Sequence, residues 1–311
     1  MTGRLVILCP GQGAQHPAMF DMARSDPAAS RLLDAWLDDP LLSGPLRAAQ
    51  GGTQAFANAV AQPSIVAATL AMWAALGKTG AALQPALVAG YSIGELSAYG
   101  VAGAFDATAL VKLAVERARL MDACVADGPA QGMVALSGMP DSLVDALMRR
   151  CGFHAAIVTG DDALVAGGPA ERRGELAAAA VAAGGKATAL PVAVASHTPL
   201  LQDAVAPFAA LLEAQRWQAP ACPVVSGISA EPVHAAAKAL HELPRQIAEP
   251  IRWRDCMDAL AEGGATVALE LGPGAALARM LQARHPHIAC RSVSEFRSLD
   301  GIHSWLGRQL E

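Results

Sequence analysis

The sequence predicts an α/β fold with a largely parallel sheet, interrupted near its middle by a smaller α+β segment. Short apolar runs suited to buried strands alternate with Ala-rich helical stretches, the order that lays helices over a parallel sheet. The connections between them are short and rich in Gly, Pro and Asp. Between Gly132 and Val192 the alternation changes, with two strand-like runs in direct succession. A chain of 311 residues accommodates two domains, or one large domain carrying an insertion.

Arg4–Cys9 reads as a buried strand stopped by Pro10 and a Gly-rich loop. A helix is expected over Ser64–Leu76, with Pro63 in its first turn. Pro85–Ala89 is a second short buried strand, leading into Gly90-Tyr91-Ser92-Ile93-Gly94-Glu95 and more helix-forming residues. A long helix follows over Ala107–Val125, ended by Asp127-Gly128-Pro129. Gly132–Ser137 is then a strand and Asp141–Arg150 a helix. Ala155–Val158 and Ala163–Val165 form a hairpin around Thr159-Gly160-Asp161-Asp162. An Ala-rich helix over Ala170–Ala183 and a strand over Ala187–Val192 complete a β-α-β-β-α-β order, the ferredoxin-like pattern. The expected division is residues 1–128 with 196–311 as the large α/β domain and 129–195 as the inserted ferredoxin-like subdomain. Strands near Val224–Ser226 and Thr266–Glu270 resume the larger fold.

Composition excludes several function classes. Hydrophobic residues make up 53% and charged residues 16%, which excludes intrinsic disorder. Much of the apolar excess is Ala, which favours closely packed helices. The net charge is −5 and no Lys/Arg run occurs, so no nucleic acid partner is expected. The six cysteines show neither CxxC spacing nor His partners, so no disulfide scaffold and no metal site are expected. The N-terminal apolar run is too short for a secretory signal, and Ile65–Leu76 is shorter than the ~20 residues of a membrane span. A cytoplasmic chain with reduced thiols and no membrane contact is the expectation.

Gly90-x-Ser92-x-Gly94 lies between an expected strand and an expected helix, the context that makes this motif a nucleophile elbow. The sharp turn exposes the Ser hydroxyl at a helix N-terminus, where dipole and free N–H groups favour a developing anion. A serine hydroxyl needs a base. Of eight histidines, His197 ends a strand and closes the insertion, whereas His303 lies late in the chain, where α/β-hydrolases place theirs. Periodicity does not choose between them. Gly11-x-Gly13-x-x-His16 lacks the third glycine of a dinucleotide fingerprint. Glu95 is expected to complement the dipole in the first helical turn.

Taken together, several motifs carry a resemblance. Cys9–Gln15 reads CPGQGAQ, and Gln62-Pro63, GYSIGE at Gly90–Glu95, Arg117 in VERARLM, Ser196-His197 and LGPG at Leu271–Gly274 follow in order. In this combination the chain resembles the malonyl-CoA:acyl carrier protein transacylases over essentially its whole length. The resemblance implies a hydrolase-like α/β domain with the ferredoxin-like insertion. It further implies an acyl-serine on Ser92 formed with His197 as base, and an oxyanion hole from the backbone N–H groups of Gln12 and Ile93. Arg117 would hold the malonyl carboxylate, Gln62 would face the cleft, and the backbone carbonyl of Arg252 would orient His197. No cofactor is implied. The partners implied are malonyl-CoA and an acyl carrier protein.

Two positions depart from the family pattern: Tyr91 stands where His is usual, and Glu249 where Asn is usual. Tyr at the first position resembles the malonate decarboxylase branch. There a transacylase subunit, epsilon, loads malonyl onto a carrier whose arm is phosphoribosyl-dephospho-CoA instead of phosphopantetheine. A malonyl transacylase of fatty-acid synthesis is the alternative, and an α/β-hydrolase esterase using Ser92, His303 and an aspartate is the alternative of a different class. A non-catalytic carrier-docking subunit is a third. Carrier proteins are usually acidic, so a local basic patch is expected despite the net charge, with Arg279, Arg284 and Arg291 as its candidates.

Overall fold

The structure is a computed structural model that describes residues 3–51, 55–77, 83–126 and 128–311. In chain order the first elements are β1 (Leu5–Cys9), α1 (Asp21–Arg24), α2 (Pro27–Asp38), α3 (Ser43–Gly51), α4 (Asn58–Leu76), β2 (Leu87–Gly90), α5 (Gly94–Val101) and α6 (Ala107–Ala126). The middle of the chain forms β3 (Gln131–Ser137), α7 (Asp141–Cys151), β4 (His154–Val158), β5 (Ala163–Pro169), α8 (Arg173–Ala182) and β6 (Lys186–Leu190). Then come α9 (Val205–Glu213), β7 (Val224–Val225), β8 (Pro232–Val233), α10 (Ala236–Arg245), α11 (Trp253–Glu262), β9 (Val267–Glu270), α12 (Ala276–Arg284), β10 (Ala289–Ser292) and α13 (Leu299–Leu310).

The larger sheet has the order β10-β9-β1-β2-β7-β8, parallel except for the edge strand β8. All five residues of β1 are buried. Successive strand residues point to opposite faces. Leu5, Ile7 and Cys9 therefore join the core on the α4 side, and Val6 and Leu8 join the core around Ile251, Trp253 and Leu281. Both faces are covered, which explains why β1 and β2 read as unbroken apolar runs and not as alternating ones.

The middle segment folds as expected from its order. Its sheet is antiparallel, β4-β5-β3-β6, with α7 and α8 closing one face over Val134, Leu136, Leu147, Phe153 and Leu176. The opposite face sends Met133, Ile157 and Val165 into the second core of the large sheet. Backbone bonds fasten the two parts: Val158 N–H donates to Ile251 O at 2.8 Å and Ile251 N–H to Ala156 O at 2.9 Å. Asp161 in the hairpin turn also pairs with Arg284 at 3.2 Å.

Several expectations need correction. The helix expected from Ser64 begins six residues earlier, at Asn58, so Pro63 lies inside it. Pro63 has no N–H for the Ala59 carbonyl, and the surrounding packing sustains the helix through that gap. At 19 residues α4 is long and apolar enough to cross a bilayer, but 83% of that window is buried within the fold. It packs against α2, α3, α5 and α6 as the central core helix. The helix expected over Ala170–Ala183 is split into a 3₁₀ turn, Ala170–Arg172, and α8, and β6 stops at Leu190. Asp127, assigned to the end of α6, lies outside the described residues. The stretch 21–51 gave no sequence expectation and is helical. Asp26 caps α2 there by accepting from the Ala28 and Ala29 N–H groups, ahead of Pro27.

The strand-to-helix turn after β2 is crowded by backbone. A Cβ on Gly94 would collide with the Cys9 carbonyl, and one on Gly90 with the backbone of Gly94 and Glu95. Gly94→Ala is therefore expected to lower stability by about 1–3 kcal/mol in urea unfolding. Gly44→Ala, where a Cβ meets nothing within 4 Å, should leave the midpoint nearly unchanged.

Candidate active site

The strand–turn–helix geometry expected around Ser92 is present. Ser92 lies in the turn between β2 and α5, separated from the strand's last residue by Tyr91, with φ +56°. A left-handed backbone at a non-glycine residue is strained, and it persists because the neighbouring structure enforces it. His197 is also left-handed, with φ +63°, in the segment that returns from the inserted subdomain. Its backbone N–H is fixed to Ile247 O at 2.8 Å. The two strained residues meet: Ser92 Oγ lies 2.7 Å from His197 Nε2. The histidine beside Ser92 is thus His197, while His303 sits on α13.

The other nitrogen settles the tautomer. His197 Nδ1 lies 2.5 Å from the backbone carbonyl of Gln246. A carbonyl only accepts, so Nδ1 carries the hydrogen and Nε2 is left to accept the Ser92 proton. Burial, together with the Arg117 charge, drives the imidazole down to about 3, so it is neutral at physiological pH.

This geometry corrects one assignment. The carbonyl that orients His197 belongs to Gln246, not to Arg252. Gln246 caps the C-terminus of α10, where the last carbonyls of a helix have no intrahelical donor and carry the negative end of its dipole. Arg252 begins the next helix instead. Its N–H donates to Gly227 O at 2.7 Å, and its exposed guanidinium pairs with Asp255 at 2.7 Å.

Arg117 is buried on α6 and forms no ion pair with a carboxylate among the described residues. It donates to Gln62 Oε1 at 2.7 Å, to Gln246 Oε1 at 3.1 Å and to Met121 Sδ at 3.2 Å. Gln62 is itself held, since its Nε2 donates to Asn58 Oδ1 at 2.5 Å. Desolvation lowers the guanidinium to about 10, still charged at neutral pH. A buried cation whose local partners are neutral amides is well suited to receive an anionic group.

The sequence does not single out Gln246, yet it bonds to Ser92, His197, Arg117 and Glu95. Its Nε2 donates to Ser92 O at 3.1 Å and to Glu95 Oε2 at 2.5 Å, while its Oε1 serves Arg117 and its main-chain carbonyl serves His197. Its position at the end of a helix was the available signal. Glu95, expected only to complement a helix dipole, is fully buried and reaches across to Gln246 and to the Gly227 N–H at 3.0 Å.

Gln12, Tyr91, Ser92, Ser196 and His197 line one side of a 120 Å³ cavity, and Met133, Ile157, Val165 and Leu190 of the inserted sheet line the other. Tyr91 meets Trp253 edge-on at 5.3 Å, and burial holds its hydroxyl well above the usual phenol range. The Gln12 and Ile93 N–H groups donate to no backbone carbonyl among the described residues. A larger cavity of 460 Å³, lined by His16, Met22 and Arg297, contains none of these residues. Of the expected basic patch, Arg284 is neutralised by Asp258 and Asp161, and Arg291 lies 3.9 Å over the Phe296 ring beside Glu295. With Gln246 supplying the orienting carbonyl, Arg252→Ala should react with a fluorophosphonate at Ser92 within about twofold of the parent rate. His197→Ala should be slower by about 10²-fold or more in the same assay.

The acyl transferase domain family matches residues 6–294 of the chain. The malonyl CoA-acyl carrier protein transacylase of Mycobacterium tuberculosis is 31% identical over 304 residues, covering 96% of this chain and 99% of that protein. The solved structure of that organism's enzyme has a TM-score of 0.86 at 30% identity, covering 96% and 98% of the two chains. The malonyl-CoA:acyl carrier protein transacylase of Xanthomonas oryzae pv. oryzae has a TM-score of 0.88 at 27% identity, with both chains covered completely. The chain belongs to the acyl transferase family that includes the malonyl CoA-acyl carrier protein transacylases.

Proposed function

We propose that this protein moves a malonyl group from malonyl-CoA to the thiol of an acyl carrier protein through an acyl-serine. The observation that carries this reading is a buried, carboxylate-free Arg117 joined through Gln246 to a Ser92–His197 pair. Ser92 Oγ attacks the thioester carbonyl while His197 Nε2 takes its proton. The tetrahedral oxyanion is held by the Gln12 and Ile93 N–H groups, each such donor contributing on the order of 3–4 kcal/mol in the transition state. Collapse expels the CoA thiolate, which receives the proton from His197. The carrier thiol then attacks the acyl-serine by the same steps in reverse.

Arg117 supplies the selectivity. Two parallel N–H···O bonds to the free malonyl carboxylate compensate its buried charge, and acetyl-CoA offers nothing in that place. Gln62 keeps the guanidinium in position. The chemistry takes place between the two parts of the chain, 1–128 with 196–311 on one side and 129–195 on the other, with the apolar inserted sheet excluding water from the acyl-serine. A cytoplasmic setting suits the six cysteines, all of them free. A relative of known structure, a malonyl-transacylase 25% identical to this chain, was solved in complex with a type II polyketide synthase acyl-carrier protein. That complex supports a carrier as the second partner.

Tyr91 favours a finer reading, in which the carrier belongs to malonate decarboxylase and presents a phosphoribosyl-dephospho-CoA arm. Its ring, set against Trp253, forms part of the cavity wall beside Ser92, where an imidazole is usual in the family. Transfer assays with both kinds of carrier decide this. Faster transfer to the phosphoribosyl-dephospho-CoA carrier supports the finer reading, and a preference for the phosphopantetheinyl carrier overturns it.

Incubation with labelled malonyl-CoA should place the label on Ser92 and leave the Ser92→Ala protein unlabelled; equal labelling of both would overturn the proposed mechanism. Arg117→Ala should reduce the ratio of kcat/KM for malonyl-CoA over acetyl-CoA by about 10- to 100-fold, the loss of charge-assisted bonds to one carboxylate. An unchanged ratio would dismiss Arg117 as the carboxylate clamp.

A further inference from the structure

We propose that Glu95 is a positioning residue that holds the Gln246 side chain, and through it sets the carboxylate clamp at Arg117 and the Ser92–His197 pair together. The inference rests on the transacylase reading above and concerns how its two halves are coupled.

A glutamine amide has an acceptor end and a donor end, and rotation by half a turn exchanges them. The Gln246 orientation matters because Arg117 only donates. Its NH2 group needs the Gln246 oxygen, not the amide nitrogen, at 3.1 Å. Two acceptors fix that choice: Glu95 Oε2 at 2.5 Å and the Ser92 carbonyl at 3.1 Å, both receiving the Gln246 Nε2 hydrogens. Glu95 is fixed in turn by the Gly227 N–H at 3.0 Å. Without an acceptor at position 95 only the Ser92 carbonyl holds the amide nitrogen, so the amide rotates more readily, turning donors toward a buried cation and loosening the residue whose carbonyl orients His197.

Glu95 also lies within the electrostatic reach of Arg117, with Gln246 between them, so it acts as a distant counter-charge without occupying the guanidinium. The other titratable groups facing it are Glu242 of α10, Tyr99 of α5 and Cys256 of α11. Its Oε1 has no hydrogen-bond partner among the described residues, and burial raises the carboxyl to about 7. Below that pH the group is neutral and a weaker acceptor for Gln246; above it the carboxylate holds the amide firmly. Activity should therefore rise with pH through about 7, well apart from any limb due to His197, which lies near 3.

The experiment compares the full-length parent, Glu95→Ala and Glu95→Gln as folded proteins. It measures transfer from malonyl-CoA and acetyl-CoA to a carrier between about pH 5.5 and 9, a range that spans the expected limb. Glu95→Ala should lose about tenfold or more in kcat/KM for malonyl-CoA, and its preference for malonyl over acetyl should fall with it. Glu95→Gln, whose oxygen can accept the same two N–H groups, should recover most of the rate at pH 8 while lacking the limb near 7. Parent-like selectivity and an unaltered pH profile in both variants would overturn the proposal, as would a Glu95→Gln protein no better than Glu95→Ala. If the alanine protein does not fold, the pH profile and selectivity of Glu95→Gln still decide. Failure of the underlying transacylase reading is separate, because it appears as label remaining on Ser92→Ala whatever the position 95 variants do.

Discussion

The site depends on one residue that performs no chemistry, Gln246. It closes α10 and stands where four groups converge. The carbonyl at the end of that helix fixes the His197 tautomer, and the amide side chain joins the Ser92 carbonyl, Glu95 and Arg117. The bonds to His197 and to the Ser92 carbonyl contribute about 1 kcal/mol net each, and those to Arg117 and Glu95 about 1.5–3 kcal/mol. Their value lies in being mutually exclusive with other arrangements: a rotated amide or a shifted helix end would break several at once. Ser92, His197 and Arg117, carried on three different segments, are thus tied together at one residue.

The fold is arranged so that this convergence holds. Ser92 is placed by the turn after β2, a central strand of the parallel sheet, where the crowding at Gly90 and Gly94 prevents relaxation of the elbow. His197 is placed by the chain returning from the inserted subdomain, and its left-handed backbone is tied to Ile247 next to Gln246. Arg117 is carried on α6, which packs along α4, and its charge is retained because Gln62 and Gln246 supply acceptors without neutralising it. Burying such a cation is unfavourable by itself, and neutral amides leave its charge uncompensated.

Much of this was legible from residue order. The strands around the elbow, the β-α-β-β-α-β segment and the Ser92 motif all followed from local pattern, because buried parallel strands and turn glycines leave a direct imprint. The choice of His197 over His303 did not follow from pattern, since it depends on how two segments about a hundred residues apart meet in space. The start of α4 was misjudged because Pro63 reads as a first-turn residue, whereas close packing of an apolar helix sustains it in the interior. Gln246 and Arg252 were confused for a similar reason: an orienting carbonyl is a backbone atom, so no side-chain type marks it. The stretch 21–51 did carry a helix signal, the Asp26-Pro27 start of the amphipathic α2, although no strand or motif beside it drew attention to it. Glu95 appeared as a helix-dipole residue, and only the approach of α10 reveals its true partners.

The central claim is that Gln246 makes Arg117 and the Ser92–His197 pair one unit, and a double-mutant cycle tests it most directly. The measurement is kcat/KM for malonyl-CoA in the parent, Arg117→Ala, Gln246→Ala and the double variant. A unit held by one amide gives a double variant little worse than the poorer single one, a coupling of about 1 kcal/mol or more. Losses that simply multiply would show the two residues to act independently and would contradict the account.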